Sequence, residues 1–346
     1  MNALLTTIAA ILIFAVLIFV HEFGHFIVAK LTKVKVNEFA LGMGPRLFSK
    51  QFGETVYSIR LFPIGGFCAM EGEDGESASD GAFSKKKPLV RLLVLVAGAF
   101  MNILLGFVLL CFVSFQQEAF VVPVIEEVVA GGAAETAGMR ENDEILSVNG
   151  RRVHINEDFM WELSNNQNED QRIDIKVKNN GEVRSFSVIP KKEDGKSSYG
   201  LLLKTEENSV GASLKNAFYR TGFYSRVVVD SFVNLVRGKL SVSDVSGPVG
   251  IVSEIGSAVE EARETGWEGF VSLLYLAILL TINLGVFNLL PVPALDGGRI
   301  LFVFIELIRR KPIPVEKEAI VHFIGFALLI LLSILIAFQD VFKLFG

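Results

Sequence analysis

The sequence predicts a polytopic α-helical membrane protein of four transmembrane helices, with a small mixed α/β domain inserted between the second and third. Three observations lead there. Hydrophobic residues make up 51% of 346 positions and the mean hydropathy is +0.47, above the roughly 45–50% apolar content of an ordinary globular chain. The excess sits in long charge-free runs rather than being spread evenly, which marks membrane spans and not an oily core. Between residues 121 and 204 those runs give way to short strand-like segments punctuated by turn residues.

A span needs roughly 20 predominantly apolar residues to cross a hydrocarbon layer about 30 Å thick. The first expected span runs from Ala3 to Val20 and, after one polar interruption, resumes from Phe26 to Ala29. The others are Leu92 to Phe115, Phe270 to Leu290 and Ala319 to Phe338. The first is read as a span and not a signal peptide, because Met1-Asn2-Ala3 has no basic residue and no small-residue cleavage site precedes the interruption. Lys and Arg crowd the segments between spans one and two and between spans three and four, while the N-terminus has none. The excess of positive charge on cytoplasmic loops then predicts both termini outside and these two loops inside. The segment from about Gln116 to Trp267 is extracytoplasmic on this reading. A formal net charge of -5 argues against nucleic-acid binding. Cys68 and Cys111 stand far apart in sequence and suggest no disulfide framework.

Within the inserted domain, Ile173-Asp174-Ile175-Lys176-Val177 and Ser185-Phe186-Ser187-Val188-Ile189 alternate at period two around Asn180-Gly181, a hairpin signal. Glu144 to Val148 reads as a strand ending in the Asn149-Gly150 turn. Beyond it, Leu214, Phe218, Thr221, Val228, Phe232 and Leu235 recur at near-helical spacing among basic residues. That pattern suits a helix lying on a membrane surface and equally one packed on its own domain. The expected divisions are 1–115, 121–204, 205–268 and 269–346.

The polar interruption of the first span is His21-Glu22-Phe23-Gly24-His25. Positions i and i+4 share a helix face, so both imidazoles can reach one metal, and the intervening Glu is placed to take a proton from water that the metal activates. Three ionisable residues within five positions inside a membrane are costly unless they have a partner. At about 1.5 Å per residue, His21 lies about 27 Å along the helix from Ala3, toward the cytoplasmic side. A catalytic zinc wants a third protein ligand. His154 and His322 stand alone in the sequence, and Asp296 is the better candidate. It follows the third span in Asn288-Leu289-Leu290-Pro291-Val292-Pro293-Ala294-Leu295-Asp296-Gly297-Gly298, at the same expected depth. Such Pro/Gly-broken backbone is tolerated in a membrane only where protein or a water-filled cavity surrounds it.

These residues resemble the site-2 protease family of intramembrane zinc metalloproteases, in its bacterial form with one PDZ domain, and the resemblance covers nearly the whole chain. It implies Zn2+ held by His21, His25 and Asp296, with Glu22 as the catalytic base, and it implies that Asn288 contacts substrate. Thr55 to Met70 resembles the family's membrane-associated β-hairpin, whose edge near Gly65 and Gly66 would accept an unwound substrate as an added strand. Gly132 to Met139, Asn142 to Ile145 and Tyr199 to Leu202 resemble a circularly permuted PDZ domain. Ala97 to Asn102 resembles a family segment with Ala99 where Pro is usual, and Ser246 to Ile251 resembles another whose purpose is open. The implied partners are the lipid bilayer and single-span membrane substrates, anti-sigma-factor-like regulators and remnant signal peptides, cut after a first extracytoplasmic cleavage. The implied location is the plasma membrane of a bacterium. A noncatalytic scaffold would leave the His-Glu-His group unexplained, and a zinc transporter would carry polar residues in more spans.

Overall fold

The structure is a computed structural model that describes residues 3–345 apart from 74, 76, 167–169, 194–195 and 242–245. In chain order, α1 (Ala3–Leu31) leads into β1 (Val36–Phe52), β2 (Thr55–Met70) and α2 (Pro88–Ser114). Then come β3 (Ala119–Val128), α3 (Ala133–Ala137), β4 (Glu144–Val148), β5 (Arg151–Arg152), α4 (Asn156–Ser164), β6 (Ile173–Asn179) and β7 (Glu182–Val188). The remainder is β8 (Lys191–Glu193), β9 (Lys196–Ser198), β10 (Leu201–Glu207), α5 (Val210–Val236), α6 (Pro248–Thr265), α7 (Trp267–Leu289), α8 (Asp296–Arg309) and α9 (Val315–Phe345). Two compact units result, one of Met1–Leu109 with Tyr224–Gly346 and one of Leu110–Phe223.

In the first unit, α1, α2, α7 and α9 are the described helices long and apolar enough to cross a membrane, and they coincide with the four expected spans. Small residues let them approach. A Cβ on Gly24 of α1 would lie 2.4 Å from the Ala97 carbonyl oxygen of α2, and one on Gly285 of α7 would lie 2.8 Å from that of Ala99. Without a hydrophobic drive between spans, such backbone proximity and its van der Waals contact hold helices together.

β1 and β2 form more than a simple hairpin. Phe39 pairs with both Cys68 and Tyr57, Ala40 with both Phe67 and Ser58, and Leu41 with both Gly66 and Ile59. The first half of β1 therefore runs between the two halves of β2, and the second half of β1 folds back along residues 55–60. The reversal needs residues at positive φ, and Gly42 supplies one at φ 87, with space for no Cβ beside the Phe62 carbonyl oxygen at 2.6 Å. At the base of the ribbon, Val36, Phe39, Cys68 and Met70 are buried with Ala29 of α1, Val94 and Leu95 of α2 and Val303 of α8. One outer edge, residues 66–70, is thereby fixed against the helices. Glu38 sits buried within the ribbon and accepts hydrogen bonds from Ser58 at 2.5 Å, from Arg60 at 2.7 Å and from Arg46. Burial pushes its carboxyl pKa up, but the hydrogen bonds from Arg46, Ser58 and Arg60 outweigh that and lower it to about 2. The contact therefore stabilises the fold above the ordinary Glu pKa of about 4.3, and that contribution is lost as pH falls toward 2.

The segment from Ser246 to Ile251 gains a structural purpose. Gly247 and Gly250 donate backbone N–H bonds to Asp340 of α9, at 3.2 and 2.9 Å. Asp340 is buried at 3% exposure, so the last span caps the N-terminus of α6, where anions are favoured. Helix α6 in turn packs Ile255 and Val259 on Ala10 of α1. Asp340→Ala would leave one buried and one part-buried donor without this acceptor, a loss of about 1–3 kcal/mol. It should lower the thermal unfolding midpoint of the purified protein, with Asp340→Asn closer to the parent. An unchanged midpoint in Asp340→Ala would remove this role.

The second unit is built on a six-stranded sheet in the order β10-β3-β4-β6-β7, with β5 on β4. The expected hairpin is β6–β7, with Asn180 and Gly181 at φ 49 and 86. Alternate residues Ile173, Ile175 and Val177 enter a core with Ile125, Ile145, Val148 and Phe159. Strand β10 lies at the end of the sheet order, so among the described residues its outer side pairs with no strand. The start of α5 packs on this unit: Tyr219 stacks on His154 with centroids 4.4 Å apart, and Arg220 pairs with Glu157. Leu214 and Phe218 remain exposed, so the amphipathic pattern here serves the domain on one face and leaves apolar side chains open on another.

Candidate metal and catalytic centre

One turn of α1 puts His21 and His25 side by side, their rings edge to face with centroids 4.8 Å apart. His25 donates from Nδ1 to the Val94 carbonyl oxygen of α2 at 2.8 Å. That bond places the proton on Nδ1 and leaves the Nε2 lone pair for a ligand. The two Nε2 atoms lie 3.1 Å apart. Asp296 arrives from 275 residues further along the chain. The chain leaves α7 at Leu290, runs through Pro291 and Pro293, and re-enters helix with Asp296 in the first turn of α8. Its Oδ2 lies 3.1 Å from His21 Nε2 and 3.3 Å from His25 Nε2.

Two imidazole nitrogens and a carboxylate oxygen thus form a triangle with edges of 3.1, 3.1 and 3.3 Å. A shared proton satisfies one edge of such a triangle and leaves the other two crowded. Ligands on a tetrahedral zinc at about 2.0–2.1 Å are separated by about 3.3 Å, so the donor set fits that ion in both chemistry and spacing. His21, His25 and Asp296 are the group among the described residues whose donor atoms converge well enough to hold a metal. The floor of the site is Gly98 of α2, where a Cβ would lie 2.3 Å from His25 Nε2 and 2.8 Å from His21 Cε1. Any side chain there would occupy the space the rings and an ion need. Asn102, one turn further along α2 and fully buried, has Nδ2 3.5 Å from His21 Nδ1, and its Oδ1 has no hydrogen-bond partner. With the amide turned over, Oδ1 would face the ring nitrogen that must carry the proton if His21 Nε2 binds metal.

Glu22 lies on the wall of a cleft of about 350 Å³ that also exposes His21, His25, Asp296 and the strand Phe67–Met70. The hairpin edge passes close by, since a Cβ on Gly66 would be 3.6 Å from Glu22 Cγ. Gly65, at φ 91, turns toward Met43 instead. Cys68 lines the cleft, and burial, with the Glu22 and Glu73 carboxylates beside it, pushes its thiol pKa well up, so it stays neutral. Asn288 does not join the cleft lining; one of its amide hydrogens goes to the Leu284 carbonyl oxygen in its own helix at 3.0 Å. His154 is held in the other unit by Tyr219. His322, which stands alone in the sequence, accepts a hydrogen bond from the backbone of Ala294, two residues before Asp296, at 2.9 Å. His322 carries no spacing signal of its own in the sequence, whereas Gly98 and Asn102 are flagged there only as part of a segment given by resemblance.

Comparison with known proteins shows the family of the chain. The profile of peptidase family M50 matches residues 9–332. A candidate zinc metalloprotease of Clostridium acetobutylicum is 36% identical over 337 residues, 96% of each chain. The zinc metalloprotease RasP of Geobacillus kaustophilus is 31% identical over 421 aligned positions, covering 98% of each chain. The regulator of sigma-W protease RasP of Bacillus subtilis is 31% identical over 427, covering 98% of this chain and 99% of its own. Both RasP alignments are longer than the 346 residues here because those proteins carry residues that this chain lacks. With the family profile running from the first span into the last, the chain belongs to peptidase family M50, the site-2 protease family, and is a zinc metalloprotease of a bacterial membrane.

Proposed function

We propose that His21, His25 and Asp296 hold the zinc, that Glu22 is the catalytic base, and that the enzyme hydrolyses peptide bonds inside the transmembrane segments of single-span proteins. The observation that carries this reading is the convergence of His21 Nε2, His25 Nε2 and Asp296 Oδ2 on one cleft wall beside Glu22. When bound, zinc supplies Lewis acidity, lowering the pKa of water and polarising the scissile carbonyl. The chain's own residues do the rest. Glu22 takes the proton from the attacking water and returns it to the leaving amide nitrogen. The edge of residues 66–70 lines the same cleft, so an unwound substrate segment pairing there brings its backbone to Glu22. Gly66 lets that edge pass close to Glu22, Gly65 makes the turn that leads into it, and Asn288, outside the cleft lining, contacts the substrate backbone beyond it through its second amide hydrogen. A helical peptide bond is shielded by its own turn, which is why an edge able to hold extended chain suits this chemistry.

By relation to a protein named as a regulator of sigma-W protease, the substrates are taken to be anti-sigma-factor-like regulators and remnant signal peptides already shortened by a first extracytoplasmic cut. Residues 121–204 act as a PDZ-like selector that turns away substrates with bulky ectodomains, and 205–268 form the helical return to the membrane. Both termini lie outside and the site faces the cytoplasmic side. The test is cleavage of a purified single-span substrate in lipid vesicles. Cutting within the apolar segment should stop with a chelator and return with zinc. Cleavage confined to the soluble flanks, or undiminished by complete zinc removal, would contradict the proposal.

A further inference from the structure

Helix α9 contributes none of the proposed ligands, yet it grips the segment that delivers one. Between Pro291 and Asp296 the chain must leave α7 and begin α8, and Ala294 does so at φ 78. A non-glycine residue in that left-handed region costs about 1–2 kcal/mol and persists only where its surroundings enforce it. The Ala294 N–H points into α9 and donates to His322 Nδ1 at 2.9 Å. One turn on, Gly325 seats the same helix face against Pro293: a Cβ there would lie 2.3 Å from Pro293 Cβ and 2.9 Å from its carbonyl oxygen. The imidazole is oriented on its other sides as well. Phe302 of α8 lies beside it with centroids 5.7 Å apart, and Glu318, one turn earlier, places Oε1 3.8 Å from Nε2. Since Nδ1 accepts the Ala294 hydrogen, the neutral ring carries its proton on Nε2, the side Glu318 faces.

We infer that His322 is a positioning residue for the hydrolytic reaction: by accepting the Ala294 N–H it sets the turn that aims Asp296 Oδ2 at the two histidines. The inference rests on the proposed zinc site. Asp296 is two peptide units from the bond in question, so a rotation at Ala294 swings its carboxylate by more than the few tenths of an ångström a metal ligand tolerates.

The experiment compares zinc release from purified, detergent-solubilised enzyme into a chromogenic chelator. His322→Leu keeps comparable bulk and removes the acceptor; His322→Asn is smaller but presents an amide oxygen where Nδ1 stood. His322→Phe, which keeps a ring beside Phe302, replaces Leu if that variant fails to insert. The acceptor-less variant should release zinc roughly 10–100-fold faster, the range for loss of an outer-sphere partner, and the Asn variant within a few-fold of the parent. In cleavage assays kcat should fall with KM nearly unchanged. Equal loss in the Leu (or Phe) and Asn variants would assign His322 to packing and overturn the inference, as would parent-like retention in the acceptor-less variant. His21→Ala in the same assay separates the two readings, because full zinc retention there would sink the site itself.

Discussion

Gly98→Ala should cost the enzyme most of its zinc and at least about 100-fold in cleavage, although position 98 touches no substrate and offers no ligand. The added methyl would sit 2.3 Å from His25 Nε2 and 2.8 Å from His21 Cε1, well inside van der Waals contact. The rings can retreat only by abandoning the 2.8 Å bond between His25 Nδ1 and the Val94 carbonyl, or by opening the triangle toward Asp296. Helix α2 cannot easily yield either, because its next residue, Ala99, is buried with its carbonyl against α7. Displacements near 1 Å at a reacting centre cost on the order of 10²-fold in rate. Metal analysis of the purified variant, beside its cleavage rate, checks this. Parent levels of both would mean that the two rings do not rest on α2 in the working enzyme.

Glu22→Gln should behave oppositely with respect to metal. The side chain projects from the same turn as the histidines and lines the cleft without joining the triangle, so an isosteric amide leaves the donor set intact. What it removes is the proton acceptor, and general-base catalysis is worth about 10²–10⁴. Turnover of a single-span substrate should fall by at least that factor with zinc retained, and the variant should hold uncut substrate. Substantial turnover would assign the proton transfer to another group.

The contrast between those variants reflects what a linear sequence discloses. The spans were legible because about 20 apolar residues without charge have few other uses, and their observed limits differ from expectation by at most seven residues, the largest at the end of α9. The His21–His25 pair was legible because helical periodicity links i to i+4 without help from tertiary structure. The β6–β7 hairpin was legible because Asn180-Gly181 takes the positive φ values its turn demands. Asp296 lies 275 residues from His21; its depth and its broken backbone made it a candidate, and only the folded chain brings the carboxylate to the rings. The doubled ribbon of β1 and β2 was half visible. Tyr57, Ile59 and Leu61 alternate with polar residues, whereas Gly42, Gly44 and Pro45 in β1 hide its partner behind turn-like composition. Asp340, just past the last expected span, carries no signal in the sequence, and His322 within that span stands as a lone histidine. Their partners, the N-terminus of α6 and the Ala294 turn, are distant in sequence and consist of backbone atoms, which no side-chain pattern announces.

The most direct test of the account is the zinc content of three purified, correctly inserted variants, measured side by side by atomic emission. Glu22→Gln should hold close to one zinc per chain, while His21→Ala and Asp296→Ala should be nearly empty after mild chelation that leaves the parent loaded. Full occupancy in Asp296→Ala would put the third ligand elsewhere and contradict the centre described here, and loss of zinc in Glu22→Gln would make Glu22 a ligand rather than the base.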